Sequence, residues 1–168
     1  LIHTPDIRTI TQLTEYLNVD ASHIAKSILF LADEQPVVVV VRGDHEVNEV
    51  KVQNYLGVTQ LELADAETVL RLTDTPTGFL GAYQLQERVQ DIDSLRILVD
   101  HALFEMPVLV MGANQEHYHY ASVLPARDLN QHEKGDFRNA VHGEPCPRCQ
   151  DGELHMTGGL ELGHVFKL

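Results

Sequence analysis

Apolar residues recur at helical spacing over residues 9–17, where Ile10, Leu13, Tyr16 and Leu17 share one face between polar neighbours. Thr9 is placed to cap that helix. A second short helix is predicted from near Asp20, with Ala21, Ile24 and Ala25 on one face and Asp20 or Ser22 as cap. Strands are predicted over residues 27–32 and 36–42, joined by the turn-like Asp33-Glu34-Gln35. The unbroken valine run 37–41 reads as a central strand covered on both faces. Gly43-Asp44 ends it, and a helix carrying Val47, Val50, Val52 and Leu56 runs on to Gly57. A strand at 60–63, a short helix at 65–72 and a Thr-, Gly- and Pro-rich loop at 73–81 follow. Further strands are predicted at 95–99, 107–111 and 118–124. Residues 131–151 are polar, carry Pro145 and Pro147 and show neither period, so they read as an irregular connector. Strand character returns over 160–168. Helices interleaved with strands, with little hairpin signal, predict an α/β (α+β) sheet domain.

The length of 168 residues suits one domain with a short appendage. A start on Leu1, without an initiator Met, predicts a piece cut from something longer. The net charge of -13 argues against broad non-specific nucleic-acid binding, which needs a basic surface to displace counterions. No apolar run approaches the roughly 20 residues of a membrane-spanning helix, and no signal-peptide core is present, so no membrane partner is predicted. Two cysteines supply no disulfide framework, which makes a reducing cytoplasm the expected compartment.

Five sequence words carry more. They are VRGDHEVNEVK at 41–51, GFLGA at 78–82, GAN at 112–114 followed by His119-Tyr120, Arg127-Asp128, and GLELGHVFKL at 159–168. In this order and at these separations they resemble the insertion domain of bacterial-type prolyl-tRNA synthetase, over nearly the whole chain. The resemblance implies a mixed central sheet flanked by helices, as in the aminoacyl-tRNA deacylase superfamily. It divides the chain into an editing domain, 1–142, and a connector with a return strand, 143–168, leading back to a class II catalytic domain. It also implies hydrolysis of tRNA(Pro) mischarged with alanine. A synthetic pocket built for proline excludes alanine poorly, because a methylene is worth only about 1–3 kcal/mol, and a second, smaller pocket removes the error. The implied partners are the alanylated acceptor end of tRNA(Pro) and the rest of a synthetase that acts as a homodimer. No cofactor is implied for editing; ATP and Mg belong to the parent enzyme.

Lys26, at the junction of the second short helix and the first long strand, reads either as a snorkelling surface lysine or, by the resemblance, as a lysine needed for editing. Its cation suits a phosphate or the terminal ribose. Gly78, Phe79, Leu80, Gly81 and Ala82 match a Gly-x-x-x-Pro loop in which Ala82 replaces the proline. That loop is either a surface turn or a row of unobstructed N–H groups able to hold an oxyanion or ester carbonyl, with Gly78 and Gly81 catalytic and Phe79, Leu80 and Ala82 on the substrate. His119 matches the pocket histidine of relatives, whereas His117 is expected to face solvent. Asp100 either caps a strand end or binds the α-ammonium of the substrate. No Ser or Cys stands in a nucleophile motif such as G-x-S-x-G, so direct attack by water is the expected route; the resemblance implies assistance by the 2′-hydroxyl of the terminal adenosine.

Asn48 and Arg42-Gly43-Asp44 are expected to be structural. Cys146 and Cys149 form a single C-x-x-C near His142, His155 and His164, either free thiols or half of a zinc site; four ligands would be needed, and no metal is predicted. Ser122 and Leu124 stand where relatives often carry Asn. With Ala82 they motivate the alternative of a degenerate, non-catalytic insertion that positions tRNA.

Overall fold

A computed structural model describes residues 1–89, 95–146, 148–149 and 151–159. In chain order the elements are β1 (Ile2–His3), α1 (Ile10–Leu17), β2 (Ile24–Ala32), β3 (Gln35–Arg42), α2 (Glu49–Leu56), β4 (Leu61–Leu63), α3 (Ala66–Thr73), α4 (Leu85–Arg88), β5 (Arg96–Asp100), β6 (Leu109–Gly112), β7 (Tyr118–Val123), α5 (Pro125–Asp128) and β8 (Glu133–Gly135). The strand expected over 160–168 lies outside the described residues.

The local signals account for the helix ends. Thr9 and Gln12 close a capping box on α1, and Asn48 accepts from the Lys51 N–H at the start of α2. Asp20 caps a 3₁₀ turn over Ala21–His23 rather than a longer helix, because β2 already begins at Ile24. Asn48 also donates to Asn139 Oδ1, and Arg42 makes a bidentate pair with Asp44, so both expected structural roles are filled.

The strands form one mixed sheet in the order β1-β7-β6-β2-β3-β5-β8, with β4 added on β2. The valine run of β3 lies between antiparallel β2 and parallel β5 and is fully covered. Its odd-numbered residues Val37, Val39 and Val41 pack with Val52 of α2 and Phe137; Val38 and Val40 face the other core with Leu29, Val69 and Leu85. A third small cluster joins Leu13 of α1 to Ile24 and Val110.

Three features depart from the periodicity reading. The pairs β2–β3 and β6–β7 are antiparallel neighbours in sequence, so hairpins are present where little signal was read. At the first, Asp33 and Glu34 both take positive φ, and the Asp33 carboxylate holds the bend by accepting from Thr59 and Gln60 N–H groups. Strand β8 crosses the expected irregular connector: Glu-Lys-Gly has no apolar pattern, but its backbone pairs with β5 and buried Phe137 anchors it. In that connector residues 143–146 pair antiparallel with 152–154, through hydrogen bonds from the Gly143 N–H to the Leu154 carbonyl and from the Cys146 N–H to the Gly152 carbonyl.

Candidate functional site

The sheet splits beside β2. This strand pairs with β6 only through Ile24 and Ala25, and with β4 only from Phe30 onward. Over the gap lies the loop 78–82, and the space between them is a cavity of about 260 Å³. Its apolar wall is Ile10 and Leu13 of α1 with Ile24, and its polar wall includes Lys26, Ser27 and His119. Gly78, Leu80 and Gly112 complete the loop side, and Arg8 and Thr9 border it.

Backbone packing sets the loop. A Cβ on Gly81 would lie 1.9 Å from the Gly112 carbonyl oxygen, so these two glycines let one chain rest directly on the other. Gly78 has φ +94, and a Cβ there would meet the Arg8 backbone at 2.7 Å. Asn114, itself at positive φ, clamps the loop from below. Its Oδ1 accepts from the Gly81 N–H at 2.7 Å, its Nδ2 donates to the Tyr83 carbonyl at 3.0 Å, and its own N–H donates to the Phe79 carbonyl at 2.9 Å. The Phe79 N–H in turn donates to Pro76. Two of the loop amides expected to be free for an oxyanion, those of Phe79 and Gly81, are therefore engaged, and Gly81 serves close approach.

His119 is buried and shares a 2.7 Å hydrogen bond between Nδ1 and the hydroxyl of Thr4, a residue with no exposed surface. Burial pushes the imidazole below its ordinary pKa, while a hydrogen bond to the Gly78 backbone pulls the other way. The ring thus joins β7 to Thr4, just after β1, and borders the cavity with Gly78. Phe79 packs its ring against His119 and His117, with the Arg8 guanidinium 5.6 Å from its centroid. The His117 side chain is 36% exposed, and its Nδ1 accepts from the Asp6 N–H.

The cations at the cavity carry acidic partners. Lys26, only 16% exposed, contacts Glu46 Oε1 at 2.8 Å, and Glu46 is itself 77% exposed. Arg8 pairs with Glu116 at 2.9 Å.

Lys26, Gly78, Leu80 and His119 thus meet around one cavity, with Phe79 and Gly81 directly behind it. Ala82 is fully buried in the core beside Leu85, where it takes a packing place rather than a place on the cavity wall. Asp100 is elsewhere. It is 1% exposed at the end of β5, and its carboxylate accepts from the Ala102 N–H at 2.9 Å and the Phe137 N–H at 2.7 Å. It borders a different cavity, beside Lys51 and Arg138, that shares no lining residue with the first. The strand-end cap left open for Asp100 is the role its contacts describe. Ser122 and Leu124 are exposed and do not line the first cavity. The rings of His142 and His155 meet at a tilt with centroids 5.3 Å apart, and among the described residues no three His, Cys, Asp or Glu side chains converge as metal ligands. His164 lies outside the described residues.

Four residues of the site were missed in the sequence: Thr4, Arg8, Ser27 and Asn114. Only Asn114 stood in a noted motif, GAN; Thr4 and Arg8 act through contacts far apart in the chain, and Ser27 is a small residue in an apolar strand whose hydroxyl has no partner among the described residues.

The family profile described as the aminoacyl-tRNA editing domain matches residues 4–127. Proline–tRNA ligase of Syntrophus aciditrophicus is 44% identical over 99% of this chain, and that of Lactiplantibacillus plantarum 41% over the same share. The chain spans 28% of the length of each of these relatives. Among solved structures, a hypothetical protein superposes with TM-score 0.72 at 22% identity, covering 83% of this chain and 89% of the other. A structure described as a trans-editing enzyme for prolyl tRNA synthetase gives TM-score 0.68 at 18% identity, covering 83% and 85%. These two likenesses concern the fold, a mixed sheet with few helices. Among the described residues no helix is long and apolar enough to cross a membrane.

Proposed function

The chain belongs to the aminoacyl-tRNA editing domain family, and on that premise we propose that it hydrolyses the ester of alanyl-tRNA(Pro). The observation that carries the reading is the convergence of Lys26, His119 and the glycine loop on one small cavity with an apolar wall.

The roles follow from position. Ile10, Leu13 and Ile24 offer a methyl-sized side chain an apolar surface, and the rigid backbone contact of Gly81 with Gly112 limits how far the loop yields to a five-membered ring. Lys26 takes a phosphate or the terminal ribose of the acceptor end, exchanging Glu46 for the substrate. His119, fixed by the Thr4 hydroxyl, lines the cavity beside Gly78, a positioning role suited to an imidazole whose pKa burial lowers. Water adds to the ester carbonyl, the bond to the ribose oxygen breaks, alanine leaves as the carboxylic acid and the ribose hydroxyl recovers its proton. The neighbouring 2′-hydroxyl is the assisting group in this reading, and no covalent enzyme intermediate is required. Asp100 has no part in it.

The partners proposed are the acceptor end of tRNA(Pro) and the remainder of a synthetase, since the relatives are much longer than this chain. A homodimeric parent, ATP and Mg belong to that remainder, and the cytoplasm is its proposed compartment. The test is deacylation of Ala-tRNA(Pro) beside Pro-tRNA(Pro) by the purified chain. Selective loss of alanine supports the reading. Turnover of neither substrate refutes it and leaves a module that only positions tRNA.

A further inference from the structure

The cavity lacks a counter-charge for one part of its proposed substrate. An aminoacyl ester carries an α-ammonium, yet among the described residues no Asp or Glu lines the space, and the nearby cations Lys26 and Arg8 repel a positive group. Asp100, the carboxylate expected to receive it, is committed to two backbone N–H groups at another cavity. Glu46 reaches Lys26 from the exposed side but is not part of the wall. The ammonium must be met by neutral acceptors.

Ser27 supplies them. Its Oγ is out of contact with solvent and has no hydrogen-bond partner among the described residues, an unmet polar group of the kind that folded proteins rarely keep without use. The residue borders the proposed substrate cavity and also an apolar one of about 240 Å³ on the far side of Gly78 and Leu80. Its main chain is equally well placed. The Ile24 carbonyl accepts from Gly43 on the β3 side, whereas the Leu29 carbonyl accepts from Ala64 on the opposite side. Backbone groups alternate along a strand, so even-numbered residues of β2 face β3 and odd-numbered ones face the other edge. Ala25 meets β6 there and Leu29 meets Ala64; Ser27, between them, turns its C=O and N–H into the split of the sheet.

We infer that Ser27 is the ammonium-recognition residue of this site, its hydroxyl and main-chain carbonyl accepting hydrogen bonds from the α-ammonium of the aminoacyl group. The inference rests on the deacylase reading and deepens it. Because a hydrogen bond to a charged group outweighs one between neutral groups, it favours the free amine-bearing ester over an N-blocked one.

The test compares alanyl-tRNA(Pro) with N-acetylalanyl-tRNA(Pro), which has no ammonium, in wild type, Ser27→Ala and Ser27→Thr. Wild type should prefer the unblocked ester. Ser27→Ala should lower kcat/KM on it by about tenfold to a hundredfold and leave the acetylated ester nearly unchanged, while Ser27→Thr, which keeps the hydroxyl, restores the preference. An equal loss on both esters, or no loss on either, overturns the inference while the deacylase reading stands. Absence of turnover by wild type instead refutes that reading, so the two failures are told apart.

Discussion

Asp100 separates a structural carboxylate from a substrate-binding one most cleanly. It is almost wholly enclosed, and its two oxygens take the N–H groups of Ala102 and Phe137, fastening the end of β5 to the segment that follows β8. Replacing it by alanine leaves both N–H groups enclosed without acceptors. Hydrogen bonds to a charged group contribute roughly 1.5–3 kcal/mol each, so the pair stands for about 3–6 kcal/mol. Relief of the buried charge offsets part of this. Against a usual domain stability of about 5–15 kcal/mol, Asp100→Ala should remove a large share. Asp100→Asn keeps one acceptor but turns an NH₂ toward either Ala102 or Phe137, and should cost roughly half as much. Urea unfolding followed by fluorescence or circular dichroism measures the loss, and deacylation normalised to folded protein measures function. The expected outcome is a lowered midpoint for both variants and an unchanged rate per folded molecule for Asp100→Asn. Undiminished stability with abolished deacylation would place the carboxylate on the substrate and refute the reasoning.

The remaining predictions are more direct. Lys26→Ala should cut deacylation at least about tenfold without lowering the unfolding midpoint, since the lost contact is an ion pair with exposed Glu46; wild-type rates would remove Lys26 from the site. Gly81→Ala forces a methyl group to within 1.9 Å of the Gly112 oxygen, so both the midpoint and the rate should fall, and a variant with wild-type values of both would contradict the packing described. His45, His119 and His132 all have pKa values lowered chiefly by burial. Below the unfolded pKa of about 6.5 the unfolded chain then binds more protons than the folded one. Stability should therefore be level above that pH and decline as it falls, before the carboxylate range is reached; a melting temperature flat from pH 7 to about pH 5 would refute this.

What the sequence disclosed was what neighbours in the chain decide. Thr9, Asn48 and the valine run act on residues within a turn or a strand of themselves, so capping and periodicity exposed them. The loop 78–82 and His119 were recognised as motif members, and they do meet. Thr4, in contrast, acts on a ring 115 positions away, and Asn114 on backbone atoms 31 and 33 positions away, distances over which no local pattern exists. Ser27 is one small residue in an apolar strand, and its isolation appears only once the sheet parts beside it. Asp100 was ambiguous for a plain reason: a cap and an ammonium receptor want the same residue at the same strand end. Strand β8 escaped because its hydrogen bonds are backbone ones, indifferent to Glu-Lys-Gly side chains.

The glutamates that occupy Lys26 and Arg8 set how an acceptor end would arrive. Neither cation stands waiting as bare positive charge, so docking a phosphate there is a trade of one anion for another. Little condensed counterion needs shedding on the protein's side, and attraction from afar is correspondingly faint in a molecule of net charge -13. In the proposed reading, delivery of the mischarged end falls to whatever grips the rest of the nucleic acid, and this domain is an inspector that examines what it is handed.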